Sequence, residues 1–139
     1  MNREILFRAK AINRDERYET RTRYKNGDWV YGLVSRLGSE KYDIPMEMTN
    51  TDGISGIDVD RKTVGQYTGL CDKNGKKIFE GDICWFYGGN YYSGLWEQNA
   101  IVAITDMTDD EQTHYLNNAE YCEVIGNIYD SPELMEATK

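Results

Sequence analysis

The stretch of sequence that determines the fold is TVGQYTGLCDKNGKKIFEGDI, residues 63–83. Its centre is the polar run Asp72-Lys73-Asn74-Gly75, in which Asn and Gly tolerate the positive φ angles of tight hairpin turns at low cost. A second turn, Gly81-Asp82, leads into another apolar segment. The stretch therefore predicts a strand, a hairpin turn, a strand, a Gly-Asp turn and a further strand in succession.

The same alternation of strand and turn signals continues outward in both directions. Alternating or β-rich segments predict strands at residues 5–12, 29–34, 54–59, 63–67, 83–87, 101–105 and 123–129. Many short strands with frequent turns are typical of a small barrel or sandwich. Helix is scarce: residues 131–136 predict a short C-terminal helix with Ser131 as cap and Pro132 at its first position. Residues 108–111 have capping-box spacing and predict the start of a helical turn.

Length and composition indicate one folded domain. The chain has 139 residues, of which 40% are hydrophobic and 12% are aromatic. A domain of this size buries roughly two-thirds of its unfolded surface, so it needs no metal or disulfide to fold. We predict a single domain over residues 1–139, all-β with minor helix.

The charge is negative and unevenly distributed. The net charge is −8, which disfavours general binding to nucleic-acid phosphates. Residues 1–25 nevertheless contain eight basic and four acidic side chains, whereas the chain from Glu80 onward contains twelve acidic side chains and one basic side chain, Lys139. A local basic patch near the N-terminus keeps nucleic-acid binding open as an alternative.

No group of residues in the sequence forms a recognisable catalytic or metal-binding motif. His114 is the single histidine, and Glu111-Gln112-Thr113-His114 is one isolated E-x-x-H element, whereas helical di-iron sites need two. The three cysteines, Cys71, Cys84 and Cys122, have no CxxC spacing, so we expect free thiols rather than zinc ligands or disulfides. Glycine-rich phosphate loops are absent. We predict no catalytic residue, no cofactor and no metal.

A cluster of aromatic residues is the strongest candidate for an interaction surface. Its members are Trp85, Phe86, Tyr87, Tyr91, Tyr92 and Trp96. On a strand, Trp85 and Tyr87 face one side of the sheet and Phe86 faces the other. Tyr and Trp are favoured at binding interfaces, so the cluster is either a hairpin packed into the core or a partly exposed contact loop with Tyr91 and Tyr92 at its tip.

Neither a membrane segment nor a signal peptide is expected. The longest apolar run, residues 83–87, is far shorter than the roughly 20 residues that span a bilayer. Charged residues interrupt the N-terminal segment too early for a signal-peptide core. We therefore expect a cytoplasmic protein.

Several blocks resemble the YopX family of phage and prophage proteins. Residues 63–83 resemble the central signature of the family, and REILFRA at 3–9 and WVYG at 29–32 resemble its N-terminal motifs. VIGNIY at 124–129 and PEL at 132–134 resemble its C-terminus. The resemblance implies a pseudo-barrel of two related halves and the cytoplasm of a bacterial host. A faint internal similarity between GDWVYG at 27–32 and GDICW at 81–85 agrees with two halves. The family supplies no catalytic residues to carry over.

The leading functional hypothesis is a non-enzymatic phage accessory protein that binds a host or phage protein, with homo-oligomerisation left open. One alternative is a nucleic-acid-linked regulator that uses the basic N-terminal segment and aromatic stacking. Another is an acidic decoy that occupies a basic site on a host protein through electrostatic attraction.

Overall fold

The computed structural model describes residues 4–13, 24–87 and 99–136. Within these ranges the chain forms nine strands and two α-helices. The strands are β1 Phe7–Lys10, β2 Trp29–Arg36, β3 Met46–Asn50, β4 Ile57–Val59, β5 Gly65–Cys71, β6 Lys77–Phe79, β7 Asp82–Phe86, β8 Ala100–Ala103 and β9 Cys122–Asn127. The helices are α1 Asp110–Leu116 and α2 Glu133–Glu136, and short 3₁₀ turns form at Arg61–Thr63 and Ala119–Tyr121.

The strands form two antiparallel sheets, which confirms the prediction of a β-rich fold with minor helix. The six-stranded sheet has the order β4-β3-β2-β1-β5-β6, and the three-stranded sheet has the order β8-β7-β9. The strand ladders of the described residues close no barrel. The chain divides into two compact units, Met1–Gln66 and Tyr67–Lys139, and β5 begins in the first and continues in the second.

The first unit places its core on one face of β1 to β4. Antiparallel pairing sets Ala9 opposite Val30 and Met48 opposite Ile57, so side chains two residues apart along each strand point to the same side. All four of these residues are at most 2% exposed. Beyond β1, one isolated bridge joins Ala11 to Val59 in β4, at the opposite edge of the four strands.

The second unit builds its core between the three-stranded sheet and α1. The buried residues are Ile78, Cys84, Phe86, Ile104, Leu116, Ala119 and Cys122. Phe86 packs its ring against Tyr115 of α1, with ring centroids 4.9 Å apart. Helix α1 begins one residue later than the capping-box spacing predicts. The Asp109 carboxylate is the cap and accepts from the Gln112 N–H at 3.0 Å.

A Gly-Asp turn leads into the central strand of the first unit. Gly27 has φ +90° and donates its N–H to the Ala11 carbonyl, while Ala11 donates in return to the Asp28 carbonyl, both at 2.8 Å. The Asp28 carboxylate accepts from the Lys25 N–H, three residues earlier, at 2.8 Å. The turn is therefore closed by one backbone pair and one side-chain bond.

The same set of bonds recurs before β7 in the second unit. Gly81 has φ +96° and donates to the Ile104 carbonyl, and Ile104 donates to the Asp82 carbonyl at 2.8 Å. The Asp82 carboxylate accepts from the Phe79 N–H, again three residues earlier, at 2.7 Å. The sequence similarity thus corresponds to one turn used twice. The two turns differ in the sequence position of the residue that pairs with them. Ala11 comes before the Gly27-Asp28 turn, whereas Ile104 comes after the Gly81-Asp82 turn.

Strand β3 is the element that the sequence patterns missed. Its residues, Met46-Glu47-Met48-Thr49-Asn50, include few of the β-branched and aromatic types that favour strands. The strand forms because β2 and β4 pair with it on both sides. Strand β5 begins at Gly65, two residues later than the predicted start at Thr63. Thr63 instead lies in a 3₁₀ turn, where its hydroxyl donates to the Asp60 carbonyl at 2.7 Å.

The close approach of β2 and β3 generates the first prediction, for Gly32→Ala. An added Cβ would overlap the Thr49 carbonyl oxygen and lie 2.8 Å from the Asn50 Cα. Because backbone cannot move aside cheaply, we expect the free energy of unfolding in urea to fall by about 3 kcal/mol. Gly53→Ala is the control: its φ is +86° but nothing lies within 4 Å, so a loss of about 1 kcal/mol is expected. Equal losses in the two variants would contradict the packing argument.

Candidate functional site

The candidate site lies on the face of β7 that points away from the core of the second unit. Alternation along the strand places Phe86 in the core, where it is 0% exposed, and leaves Trp85 and Tyr87 half-buried on the other face. Their rings are stacked, with centroids 5.1 Å apart and an interplanar angle of 18°. We call Trp85, Tyr87, Lys73 and Glu123 the paired aromatic surface.

Lys73 and Glu123 hold the Tyr87 side chain in place. The Lys73 Nζ donates to the Tyr87 Oη at 3.0 Å and lies 4.1 Å from the centroid of its ring. The Tyr87 hydroxyl in turn donates to the Glu123 Oε2 at 2.8 Å. The hydrogen bond to Tyr87 raises the pKa of Lys73, and the negative charges of Glu123 and Asp72 raise it further. The Tyr87 hydroxyl is therefore hydrogen-bonded to the Lys73 ammonium and to the Glu123 carboxylate at the same time.

The C-terminal segment covers one end of this face. Ile83, two residues before Trp85 on the same side of β7, is 0% exposed. Gly126 lies opposite Ile83, and an added Cβ there would come within 3.0 Å of Leu134 and Ser131 atoms. Glycine therefore permits the segment that leads into α2 to rest on the strand. The covering of Ile83 explains why the half-buried aromatic positions start at Trp85.

The Asp72 carboxylate brings Lys73 to the site. Its Oδ1 accepts from the N–H groups of Asn74 and Lys76, and its Oδ2 accepts from the Val124 N–H in β9, all at 2.9 Å. The Lys73 N–H donates to the Cys122 carbonyl at 2.9 Å. The hairpin turn predicted from the sequence is therefore attached to the edge of β9. Burial opposes ionisation of Asp72, but these three N–H bonds and the Lys76 charge lower its pKa.

Three of the predicted surface residues, Tyr91, Tyr92 and Trp96, lie outside the described residues. Of the other three, the structure brings Trp85 and Tyr87 together and places Phe86 in the core. The sequence patterns did not point to Lys73 or Glu123. One sequence feature could have pointed to Lys73. It directly follows Asp72, a residue type whose side chain often accepts from the N–H two residues later in a turn, as Asp72 does from Asn74.

The remaining candidate groups are separated or engaged in local structure. His114 is exposed near the end of α1, and the Asp109 carboxylate caps the start of the same helix. The Asp106 carboxylate accepts from the Thr108 hydroxyl and N–H, which lowers the pKa of Asp106. Over residues 4–13, 24–87 and 99–136, no group of three or more His, Cys, Asp or Glu side chains could hold a metal ion.

The three cysteines are free thiols that differ in burial. Cys71 is exposed, whereas Cys84 and Cys122 are buried in the core of the second unit. A hydrogen bond with Cys122, together with burial, raises the pKa of Cys84. Because the thiolate is the reactive form, Cys84 is a poor nucleophile.

Charge divides unevenly between the two units. Residues 1–66 contain twelve basic and eleven acidic side chains, a net charge of +1. Residues 67–139 contain four basic and thirteen acidic side chains, a net charge of −9. The paired aromatic surface therefore belongs to the unit that carries the negative charge of the protein.

Fold and site together define a β-rich protein with two antiparallel sheets and a candidate binding surface of aromatic and charged side chains. The model of the YopX protein family matches residues 6–136, and the chain belongs to this family. The chain is also similar to a solved structure, the crystal structure of protein EF1440 from Enterococcus faecalis. The two share 24% sequence identity with a TM-score of 0.48, over 96% of this chain and 99% of that one. No curated protein matches the sequence.

No helix among the described residues is long and apolar enough to cross a membrane.

The Asp72 turn generates a prediction about acid stability, tested with Asp72→Asn. Since the pKa of Asp72 is lowered from 3.8 in the folded state, its ionised form stabilises the fold above that pH. This stabilisation is lost as the pH falls through the folded-state pKa. At neutral pH we expect the variant to lose about 2 kcal/mol of unfolding free energy, because an amide cannot accept all three N–H bonds.

The measurement is urea unfolding between neutral pH and pH values below the ordinary aspartate pKa. The difference between wild type and Asp72→Asn should shrink as the solution becomes more acidic. Asp52→Asn removes the same charge from an exposed side chain of the first unit and serves as control. A pH-independent difference, or one no larger than that of the control, would contradict the role given to Asp72.

Proposed function

We propose that this protein is a non-enzymatic protein-binding module and that the paired aromatic surface is its contact site. The observation that carries the proposal is the stack of Trp85 on Tyr87. The Tyr87 hydroxyl is held because it accepts a hydrogen bond from the Lys73 ammonium and donates one to the Glu123 carboxylate. Side chains that are already ordered lose less conformational entropy when a partner docks on them. Tyr and Trp are also the residues that most often dominate interface energetics.

The non-enzymatic part of the proposal rests on where the nucleophile and base candidates lie. The buried Cys84 thiol has a raised pKa, which disfavours the reactive thiolate. His114 is exposed on α1, whose Tyr115 packs on Phe86, on the opposite side of β7 from the paired aromatic surface. The Cys84 thiol and the His114 imidazole therefore lie on the core side of β7, away from the stack of Trp85 and Tyr87.

The proposed setting is the cytoplasm of a bacterial host that carries a phage or prophage. The partner is a host or phage protein, or a second copy of the chain. We propose one cooperative domain over residues 1–139 with a pseudo-barrel of two related halves. Its support is the Gly-Asp turn used twice, at Gly27 and Gly81, and the bridge from Ala11 to Val59.

A second candidate function is single-stranded nucleic-acid binding by the first unit. Two cations lie over the ring of Trp29: the Arg8 guanidinium carbon is 4.6 Å and the Lys10 Nζ 5.4 Å from its centroid. Tyr31, opposite Arg8 in the sheet, is 40% exposed. Aromatic faces flanked by basic side chains form stacking platforms for bases. The basic residues between 14 and 23 lie outside the described residues.

The acidic-decoy alternative draws its support from the charge of the second unit, −9 over residues 67–139. Such a charge attracts basic protein sites at long range and repels phosphates. It favours a basic partner for the paired aromatic surface, whatever biological purpose the contact serves.

The protein-binding proposal predicts the behaviour of Trp85→Ser. The immobilised variant should capture at least about tenfold less partner protein from host extract, and self-association in sedimentation velocity should weaken likewise. Because Trp85 is half-buried, its loss should lower the unfolding free energy by only about 1–2 kcal/mol. Tyr31→Ser removes an exposed aromatic residue from the first unit and should leave partner capture and self-association unchanged. Equal capture by wild type and Trp85→Ser would rule out this contact site.

The nucleic-acid candidate predicts that the protein retards a labelled single-stranded oligonucleotide in a gel, and that retardation weakens as salt is added. Trp29→Leu should then reduce the affinity by about tenfold, since it removes one stacking surface. Trp85→Ser should have no effect on this assay. If no retardation is seen at low salt, the second candidate is wrong.

A further inference from the structure

The position of Trp85 in the three-stranded sheet determines what can approach its ring. Strand register places Ile101 of β8 on one side of Trp85 and Glu123 of β9 on the other. Directly opposed side chains on antiparallel strands point to the same face and lie close together. The half-buried indole is therefore flanked by an apolar side chain and by a carboxylate.

Glu123 retains hydrogen-bonding capacity on this face. Its Oε2 accepts from the Tyr87 hydroxyl at 2.8 Å. An ionised carboxylate has two oxygens with about four acceptor positions, so one bond leaves room for a donor from outside. A donor beside Trp85 would meet a negative charge and an aromatic face together.

The paired aromatic surface already holds one cation of the same protein, the Lys73 ammonium, against an aromatic ring. The Lys73 ammonium lies 4.1 Å from the Tyr87 centroid, and the phenol that it contacts is hydrogen-bonded to Glu123. Cations are attracted to the faces of aromatic rings, and Trp attracts them more strongly than Tyr. Lys73 engages Tyr87, which leaves Trp85 as the ring for an incoming group.

We propose that the paired aromatic surface binds an arginine side chain from a basic segment of a partner protein. The guanidinium stacks on Trp85 and donates hydrogen bonds to the Glu123 carboxylate. Arginine fits better than lysine because its planar group can stack on a ring and donate to a carboxylate at the same time. This inference rests on the proposed protein-binding function and specifies the chemistry of the partner.

The charge of the second unit selects the same kind of partner. Locally Lys73 and Glu123 balance each other, so the long-range field is set by the remaining side chains of a unit with net charge −9. That field accelerates the approach of basic segments and repels acidic ones. The aromatic stack and Glu123 then decide where on the unit the basic segment docks.

The test measures binding of labelled peptides to the full-length protein by fluorescence anisotropy. The first peptide alternates Arg and Gly. The second replaces Arg by Lys, and the third replaces Arg by citrulline, which has nearly the same shape without the charge. We expect the Arg peptide to bind several-fold more tightly than the Lys peptide and the citrulline peptide to bind weakest.

Two substitutions locate the contact, and a third controls for charge. Trp85→Leu keeps an apolar side chain but removes the ring, and Glu123→Gln keeps an acceptor for Tyr87 but removes the charge. Each should weaken the Arg peptide by about tenfold. Glu111→Gln removes the same charge from exposed α1, which packs on the other side of β7, and should change the affinity by less than about twofold. Trp85→Phe, which retains a smaller ring, should lie between wild type and Trp85→Leu.

The outcomes separate this inference from the broader proposal. If Glu111→Gln and Glu123→Gln weaken the Arg peptide equally, the attraction is general and the arginine site is wrong. If the Arg peptide does not bind but capture of a partner protein still depends on Trp85, the arginine inference fails while the protein-binding function stands. If capture is independent of Trp85 as well, both are wrong.

Discussion

One buried carboxylate connects the turn, the sheet and the candidate site of the second unit. Asp72 accepts two N–H groups within its own turn and a third from Val124 in β9. A buried charge is tolerated only when hydrogen bonds compensate its desolvation, and here backbone dipoles do so. The turn is thereby attached to β9, and Lys73 is carried to Tyr87. Without this attachment, the ordering of the aromatic stack would depend on Glu123 alone.

Two other aspartates in this chain also close turns by accepting hydrogen bonds from backbone N–H groups. Asp28 and Asp82 each accept the N–H three residues earlier and close a turn beside a glycine of positive φ. The two differ in environment, since Asp82 is 2% exposed whereas the bond of Asp28 is exposed. A hydrogen bond shielded from water contributes more than one in contact with it. The Gly-Asp turn of the second unit therefore determines the start of its central strand more strongly.

Local patterns in the sequence revealed most of the strands and half of the site. Period-two alternation correctly separated Phe86 from Trp85 and Tyr87, because that property depends on one strand alone. Strand β3 was missed because pairing on both sides, not propensity, stabilises it. Lys73 and Glu123 were missed because they lie 14 and 36 residues from Tyr87. Contacts over such distances follow from the pairing of β7 with β9, which no local pattern encodes.

The pleat of β7 links the core of the second unit to its candidate site. One face supplies Cys84 and Phe86 to the core, and the other supplies Trp85 and Tyr87 to the candidate site. A one-residue shift in register would exchange the two sets and expose Phe86 while burying the Tyr87 hydroxyl. The strong preference for burying Phe86 therefore also fixes the orientation of Trp85. The core thus positions the aromatic surface that we propose as the contact site.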